Sequence, residues 1–256
     1  MIGLIGGTGV YDASAMQNAR KQKITTPYGA TSDVITVGEM FGKEVAFLPR
    51  HGSNHTIPPH KINFKANIYA MKELGVERII GVCAVGSLKE KFKPGELAIV
   101  DQFIDFSKTP HTFYDEGRFF HVSLADPFCS NLNSTLLQEA KGLGIPMHEH
   151  STYLKIDGPQ FSTRAASHMY RQFADLIGMT GVPEAILARE KEICYSIIAA
   201  VTDFDCWHEE KVTSEMVVNS MKKNSANIKL LLEKAIPKIG KERNCECSHA
   251  LSGAEI

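Results

Sequence analysis

The sequence lacks the features that mark membrane, secreted and nucleic-acid-binding proteins. None of its apolar runs approaches the roughly 20 residues that a membrane-spanning helix needs. Its opening residues, Met1-Ile2-Gly3-Leu4, show neither the basic segment nor the long apolar segment of a secretion signal. The 256 residues carry a formal net charge of −1, so the overall charge gives no reason to expect an anionic polymer or surface as partner. We therefore expect a cytoplasmic protein that binds neither a membrane nor a nucleic acid.

Cysteine is sparse, and its spacing argues against two common uses of the residue. The six cysteines are Cys83, Cys129, Cys194, Cys206, Cys245 and Cys247. This scatter does not fit a small disulfide scaffold, and the paired CxxC pattern that often holds zinc is absent. The pair Cys245-Glu246-Cys247 fits either two reduced thiols or a redox or disulfide feature. The sequence leaves this choice open, as it does for Cys129 and Cys194.

Short apolar runs alternate with segments of helical periodicity along most of the chain. Residues 2–5, 78–85 and 197–202 read as buried strands, and residues 63–74 and 214–236 have the spacing and end signals of helices. Buried strands that alternate with helices indicate an α/β fold with a mixed, twisted sheet flanked by helices.

One domain is expected over residues 1–240. The segment 241–256 is rich in charged and small residues, and we expect it to be a mobile C-terminal tail.

Two of the predicted strands end in groups that suit an anion. The first runs into Gly6-Gly7-Thr8-Gly9, whose backbone N–H groups and single hydroxyl fit either an oxyanion cradle or a tight structural turn. A later strand runs into Arg50-His51. Arginine presents a planar fork that matches phosphate oxygens, although a surface salt bridge is the ordinary alternative. The histidines at 51, 55 and 60 fit no standard metal-ligand spacing, and we expect no metal site.

Asp203-Phe204-Asp205 is the sharpest chemical feature, because it places two acids at the end of an apolar strand. A turn or helix cap is one interpretation. The other is a carboxylate pair that faces a base with donors along one edge. Partial burial beside Phe204 and Trp207 would raise the pKa of one acid enough for it to deliver a proton near neutral pH.

Together these clusters resemble the trimeric purine nucleoside phosphorylase family, and most closely its methylthioadenosine phosphorylase branch. The resemblance covers residues 1–238 and rests on ten segments in the family's order: 6–9, 26–29, 50–52, 63–74, 86–88, 101–105, 113–115, 158–161, 178–184 and 200–207.

The resemblance implies an α/β sandwich-like fold that assembles as a homotrimer or a homohexamer. It also implies phosphate-dependent cleavage of the glycosidic bond of 5'-methylthioadenosine, with activity on adenosine left open. Phosphate is then a co-substrate, and neither a metal nor an organic cofactor is needed.

The resemblance assigns site residues by role. Phosphate contacts fall to Thr8, Arg50, His51, Cys83, Ala84 and Thr180. The residues implied to contact the nucleoside are Phe161, Met179, Asp203, Asp205 and His121. His121 is contributed by the neighbouring subunit, and Ala84 also lies near the nucleoside. Asp203 faces N7 of the purine as the catalytic acid, and Asp205 faces the 6-amino group. Specificity falls to Ser162, Ser214 and Val217.

Cys83 and Ser214 are among the positions that depart from the family pattern, and two alternative functions stay open. Cys83 replaces a usual hydroxyl, so its phosphate contact must weaken or pass to the backbone. Ser214 replaces an apolar residue near the 5' group, which argues for a broad 5' preference. The nearest alternative is a phosphorylase of 6-oxopurine nucleosides, which typically has Asn where Asp203 stands. A non-catalytic protein that binds purine or phosphate is the alternative from another class.

Overall fold

The structure is a computed structural model that describes residues 1–7 and 16–255. Eleven strands form a single mixed sheet in these residues. The strands are β1 (Ile2–Gly6), β2 (Gln17–Gln22), β3 (Ile35–Met40), β4 (Lys43–Pro49), β5 (Arg78–Ser87), β6 (Leu97–Ile99), β7 (Gln102–Asp105), β8 (Met147–His148), β9 (Thr152–Lys155), β10 (Leu176–Gly178) and β11 (Cys194–Asp203). The helices are α1 (Phe64–Glu73), α2 (Ser130–Gly142), α3 (Arg164–Tyr170), α4 (Gly181–Glu190) and α5 (Ser214–Lys238). The predicted α/β class is confirmed.

Strand β5 is the centre of the sheet. It pairs with β1 and β11 in parallel and with β10 in antiparallel orientation, while β4 lies parallel to β1 on the far side. Strands β1 and β11 are buried along their whole length, which explains their unbroken apolar sequences. Because β1, β4 and β11 run in the same direction, their carboxyl ends meet at one edge of the sheet.

The core has two layers, one on each face of the sheet. Helices α1 and α4 pack on one face, where Ile68 and Leu187 are fully buried. Helices α2 and α5 pack on the other, where Leu136 and Leu231 are fully buried. Side chains alternate across β5, as in any strand, and Cys83 belongs to the first layer.

Side-chain caps fix the start of the predicted helices. The Asn63 carboxamide accepts a hydrogen bond from the Ala66 amide at the start of α1, and the Thr213 hydroxyl accepts one from the Met216 amide at the start of α5. Helix α5 continues slightly past the predicted end and takes Pro237 into its last turn.

The prediction of a mobile tail is wrong. Arg78 Nη2 donates to the carbonyl oxygens of Lys241 and Glu242, and a short 3-10 helix, Glu246–His249, buries Cys247 against the body of the protein. Composition alone suggested mobility, but these contacts attach the segment to β5. The proposed boundary at residue 240 stays a prediction.

Within the described ranges, no helix combines the length and the apolar character that crossing a membrane requires.

Candidate active site

A cavity of about 530 Å³ opens at the sheet edge where β1, β4 and β11 end. Its walls come from these strand ends, the middle of β5, the β10–α4 connection and the first turns of α5. Residues of the chain that line it include Gly7, Arg50, His51, Ala84, Phe161, Ser162, Met179, Thr180, Asp203, Asp205, Val217, Val218, Met221 and Lys222.

Two groups of polar residues in the cavity are separated along β5. Arg50 Nη1 donates to the carbonyl of Val82 at 2.8 Å, whereas Asp203 pairs in register with Gly86. Four residues of a strand span about 13 Å. The spacing between the arginine and the carboxyl is therefore of the size of a nucleoside.

Arg50 is held rigidly by a buried ion pair. Its Nε and Nη2 donate to the two carboxylate oxygens of Glu184 at 2.5 and 2.9 Å, and Nη2 also lies 3.3 Å from the carbonyl of Ile5. Burial opposes the charged form of Arg50, but the charge and the hydrogen bonds of Glu184 help to offset it, and the pKa of Arg50 lies well above its ordinary value. The cavity thus contains a fixed cation at every accessible pH.

His51 is neutral at physiological pH. Burial is the main reason that its pKa is lowered to about 4. The hydrogen bond to the Ile57 carbonyl opposes this shift, and the charge of Arg50 adds to it. That bond, at 2.8 Å from Nδ1, fixes the Nδ1–H tautomer. Nε2 is therefore an acceptor, suited to the P–OH of a protonated phosphate or to a sugar hydroxyl, and the ring adds no charge to the site.

Thr180 lies between the cavity and the amino end of α4. Its hydroxyl is 3.6 Å from Cys83 Sγ, and its amide donates to the Tyr153 hydroxyl at 3.3 Å. Burial raises the pKa of Cys83, so this residue is a neutral thiol. An anion at this point would be stabilised by the Thr180 hydroxyl, by Arg50 and by the positive end of the α4 dipole.

Asp203 is 5% exposed, and its burial raises its pKa despite the hydrogen bonds that favour the ionised form. Thr202 Oγ1 lies 2.7 Å from Asp203 Oδ2 and 3.1 Å from the Val85 carbonyl. A hydroxyl has one proton, so it cannot donate to both oxygens at once. Both contacts are satisfied when Asp203 is protonated and Thr202 donates to Val85. Burial therefore raises the pKa of Asp203 against the hydrogen bonds that favour its ionised form, and the protonated carboxyl can still keep its contact with Thr202.

Asp205 is positioned through a left-handed backbone conformation at φ +46°. Its amide donates to Asp203 Oδ1 at 2.8 Å, and its Oδ2 accepts from the Ser167 hydroxyl at 2.5 Å. Aspartate tolerates this conformation better than most residues, because its short side chain makes local hydrogen bonds. Glycine is required opposite the pair, since a Cβ at Gly86 would lie 2.9 Å from Asp203 Oδ1.

The remaining walls are mostly apolar. Met179 and Phe161 flank the cavity, and Phe161 is 40% exposed there. The first turns of α5 add Val217 and Met221. Ser162 Oγ is buried without a hydrogen-bond partner in the part of the chain that the structure describes. It is therefore available to bond a ligand.

The structure brings most of the sequence-predicted site residues together, though not all of them. Cys83 lies behind the lining, against Thr180, and Ser214 lies exposed at the start of α5 outside the cavity. His121 is also exposed and outside it, and its amide donates to the Ala254 carbonyl. Thr8 lies outside the described residues.

Several residues that build the site were not singled out from the sequence. Glu184 holds Arg50 and also accepts a hydrogen bond from the Tyr195 hydroxyl at 2.5 Å, while Ser167 orients Asp205. The sequence did hint at the role of Glu184, because an acid inside the buried stretch of α4 needs a charged or hydrogen-bonding partner. Ser167 gave no signal, because a serine in a short helix is commonplace.

Comparison with known proteins gives evidence on the family of this chain that does not depend on the geometry of the site. The profile described as "Phosphorylase superfamily" matches residues 1–237. A protein of Thermofilum pendens named S-methyl-5'-thioadenosine phosphorylase is 53% identical, over 100% of this chain and 98% of its own length. A methylthioadenosine phosphorylase from an antarctic soil metagenomic library superimposes with a TM-score of 0.94 at 45% identity, covering 100% and 92%. The methylthioadenosine phosphorylase of Schistosoma mansoni in complex with adenine does so with a TM-score of 0.92 at 33% identity, covering 98% and 96%.

Proposed function

The chain belongs to the phosphorylase superfamily, and from this we propose that it uses inorganic phosphate to cleave the glycosidic bond of 5'-methylthioadenosine. The products are adenine and 5-methylthioribose 1-phosphate, so the enzyme is a pentosyltransferase of purine and methionine salvage. The names of the relatives support this substrate, since proteins 45 to 53% identical over nearly their whole length are named for it.

The cavity supplies what the reaction needs. Breaking the bond builds positive charge on the ribose and negative charge on the base. Phosphate held by Arg50, Thr180 and the neutral His51 stabilises the first charge and supplies the nucleophile. Ala84 lies between this end and the base end of the cavity, as part of its floor. Thr8 belongs to the same proposal by resemblance. We expect the phosphorolysis itself to use neither a metal nor an organic cofactor.

Asp203 protonates the departing base at N7. Its buried position keeps the carboxyl protonated to a higher pH than an exposed aspartate, which is what a general acid requires. Asp205, held by Ser167, accepts a hydrogen bond from the 6-amino group. A 6-oxo base would present an acceptor to Asp205 instead, and this mismatch favours adenine over hypoxanthine.

The apolar wall suits the methylthio group. Val217 and Met221 on α5 offer it a surface without polar groups, and Met179 packs against the ribose. Ser162 is positioned to bond the nucleoside. Because α5 presents Val217 rather than Ser214 to the cavity, we propose that Val217 contributes more to selection at the 5' position.

Assembly as a homotrimer or homohexamer is part of the proposal. His121 is exposed beside Phe119, an aromatic side chain that is 46% exposed. The interface itself is what the resemblance implies, and the exposure of both side chains is compatible with a contact between copies of this chain. There His121 would reach the 5' end of the sugar in the neighbouring site.

A single observation carries the proposal: one cavity is lined both by the buried Asp203 carboxyl, whose pKa is raised, and by the fixed cation of Arg50. The two side chains contact β5 at positions four residues, or about 13 Å, apart. The test is to incubate the protein with 5'-methylthioadenosine, with and without phosphate, and to quantify both products. Equal amounts of adenine and 5-methylthioribose 1-phosphate, formed only with phosphate, are expected. Adenine with free methylthioribose in phosphate-free buffer would indicate hydrolysis, and binding without release would indicate a non-catalytic protein; either result contradicts the proposal.

A further inference from the structure

Four cysteines from three distant parts of the chain meet at the far end of β11 from the active site. Cys129 precedes α2, Cys194 is the first residue of β11, and Cys245 and Cys247 come from the C-terminal segment. Their sulfur atoms all lie within 4.8 Å of one another. Asp203 ends the same ten-residue strand that Cys194 begins, so the cluster is about 30 Å from the catalytic acid. At this distance the cluster takes no direct part in the phosphorolysis.

The separations between the sulfur atoms fit a shared ion. Four sulfurs at about 2.3 Å from a tetrahedral zinc ion lie about 3.8 Å from one another. Cys194 Sγ and Cys245 Sγ are 3.4 Å apart, and the rest of the cluster is within the 4.8 Å limit. Closing the cluster onto an ion needs displacements of no more than about 1 Å. All four cysteines are free thiols.

The backbone that carries Cys245 and Cys247 is attached by hydrogen bonds that do not involve sulfur. Arg78 donates to the carbonyls that precede Cys245, and Asn131 Nδ2 donates to the Asn244 carbonyl at 2.6 Å. Arg243 Nη1 donates to the carbonyl of Glu192 at 2.6 Å. These contacts hold the segment over Cys129 and Cys194, so the cluster is assembled in advance of any ligand.

The surroundings favour negative charge on the sulfurs. Arg189 Nη1 lies 3.7 Å from Cys247 Sγ. Arg78 and Arg243 line a small cavity together with three of the cysteines, and Glu242 is the acidic residue found in that lining. Arg78 also lies 3.7 Å from the carboxylate of Glu77. A zinc ion with four thiolates carries a net charge of −2, which the neighbouring arginines offset.

We propose that Cys129, Cys194, Cys245 and Cys247 bind one zinc ion as a structural, four-coordinate site. On binding, the four thiols lose their protons to the solvent and the ion gains four Zn–S bonds. No position is left open for substrate, so the ion fastens the C-terminal segment to β11 and α2. This site could not be predicted from the sequence, because Cys129 and Cys194 come from separate elements and the cysteines do not show CxxC spacing. This proposal is independent of the proposed function.

The direct test is the metal content of the full-length protein. The protein is produced with zinc in the medium, purified under reducing conditions, and analysed by elemental mass spectrometry. About one zinc per chain is expected, and the Cys245→Ser/Cys247→Ser variant is expected to retain less than about a tenth of it. Cys206→Ser removes a thiol outside the cluster and serves as the matched control, which keeps the full zinc content.

Two further readouts do not depend on the variants folding. Removal of zinc from the native protein and loading with Co²⁺ should give the strong visible bands of a tetrahedral thiolate site. Native protein that carries no zinc and gains no such bands, with all thiols reactive, overturns the proposal. So does an intact mass lower by two pairs of hydrogen atoms under non-reducing conditions, because the four cysteines would then be consumed by disulfides.

Discussion

Asp203→Asn is the substitution that removes proton donation by Asp203 while leaving the local hydrogen bonds largely intact. The asparagine carbonyl can accept from the Asp205 amide, and its NH₂ can donate to Thr202 Oγ1, so both contacts of Asp203 have a counterpart. What is lost is the acidic proton that the proposed mechanism delivers to N7. The substitution should therefore change catalysis much more than it changes the fold.

The size of the loss follows from the role. A positioned general acid contributes about 10²- to 10⁴-fold to the rate, so kcat for 5'-methylthioadenosine should fall by about that factor. The KM for phosphate should change little, because Arg50 and Thr180 are untouched.

The same substitution has an expected sign for stability. Burial raises the pKa of Asp203 in the folded state. Its contribution to stability is therefore fully present at low pH and is lost as pH rises through the folded-state pKa. Asparagine does not titrate, so above that pKa the variant should be at least as stable to thermal unfolding as the native protein.

Adenine release should be measured for both proteins across a pH series. Native kcat should decline as pH rises through the raised pKa of Asp203, and the variant should lose that limb of the profile. A variant that retains more than about a tenth of native kcat would refute the reasoning, because another group would then supply the proton.

Three further substitutions test the phosphate end and the assembly. Glu184→Gln removes the charge that balances the buried Arg50, and chemical denaturation should show a loss of about 3–5 kcal/mol in the free energy of unfolding. Thr180→Val removes a hydroxyl beside the anion, and steady-state kinetics should show a KM for phosphate raised by about 10- to 150-fold, the equivalent of about 1.5–3 kcal/mol for a hydrogen bond to a charged group. His121→Ala should impair the neighbouring site, so that co-assembly with Asp203→Asn subunits restores activity that neither variant has alone, as measured by adenine release.

The first two of these have a matched control, and all three have a contradicting outcome. Glu233→Gln changes a side chain on α5 that is 44% exposed, and it should cost less than about 0.5 kcal/mol. An equally small cost for Glu184→Gln would show that the ion pair does not matter for stability. Thr180→Ser keeps the hydroxyl and should keep the native KM; a similar KM in the Val and Ser variants would exclude the contact. Mixed subunits no more active than the separate variants would contradict the sharing of His121.

The strands and the main helices were predictable because their signals are local. A run such as residues 197–202 is apolar at every position and has few structural alternatives. The chemistry at strand ends was predictable for the same reason, since Arg50 and Asp203 follow such runs directly. What these residues touch was not predictable, because the partner of Arg50 is 134 residues away.

Where the structure departs from expectation, the cause is physical. The C-terminal segment looked mobile because its composition is polar, whereas Arg78 on β5 and buried Cys247 attach it. The resemblance places Ser214 near the 5' group, which stays a prediction; in the structure the helical turn that begins at Thr213 presents Val217 to the cavity. Pairing across the sheet decides such details, and it cannot be deduced from local sequence.

The most direct test of the central claim is a comparison of kcat/KM for 5'-methylthioadenosine and for inosine in the presence of phosphate. The pair Asp203 and Asp205 predicts phosphate-dependent release of adenine at a kcat/KM at least about a hundredfold above that for hypoxanthine. Hypoxanthine released as fast or faster would contradict the assignment of the base site, and release of neither base would contradict catalysis itself.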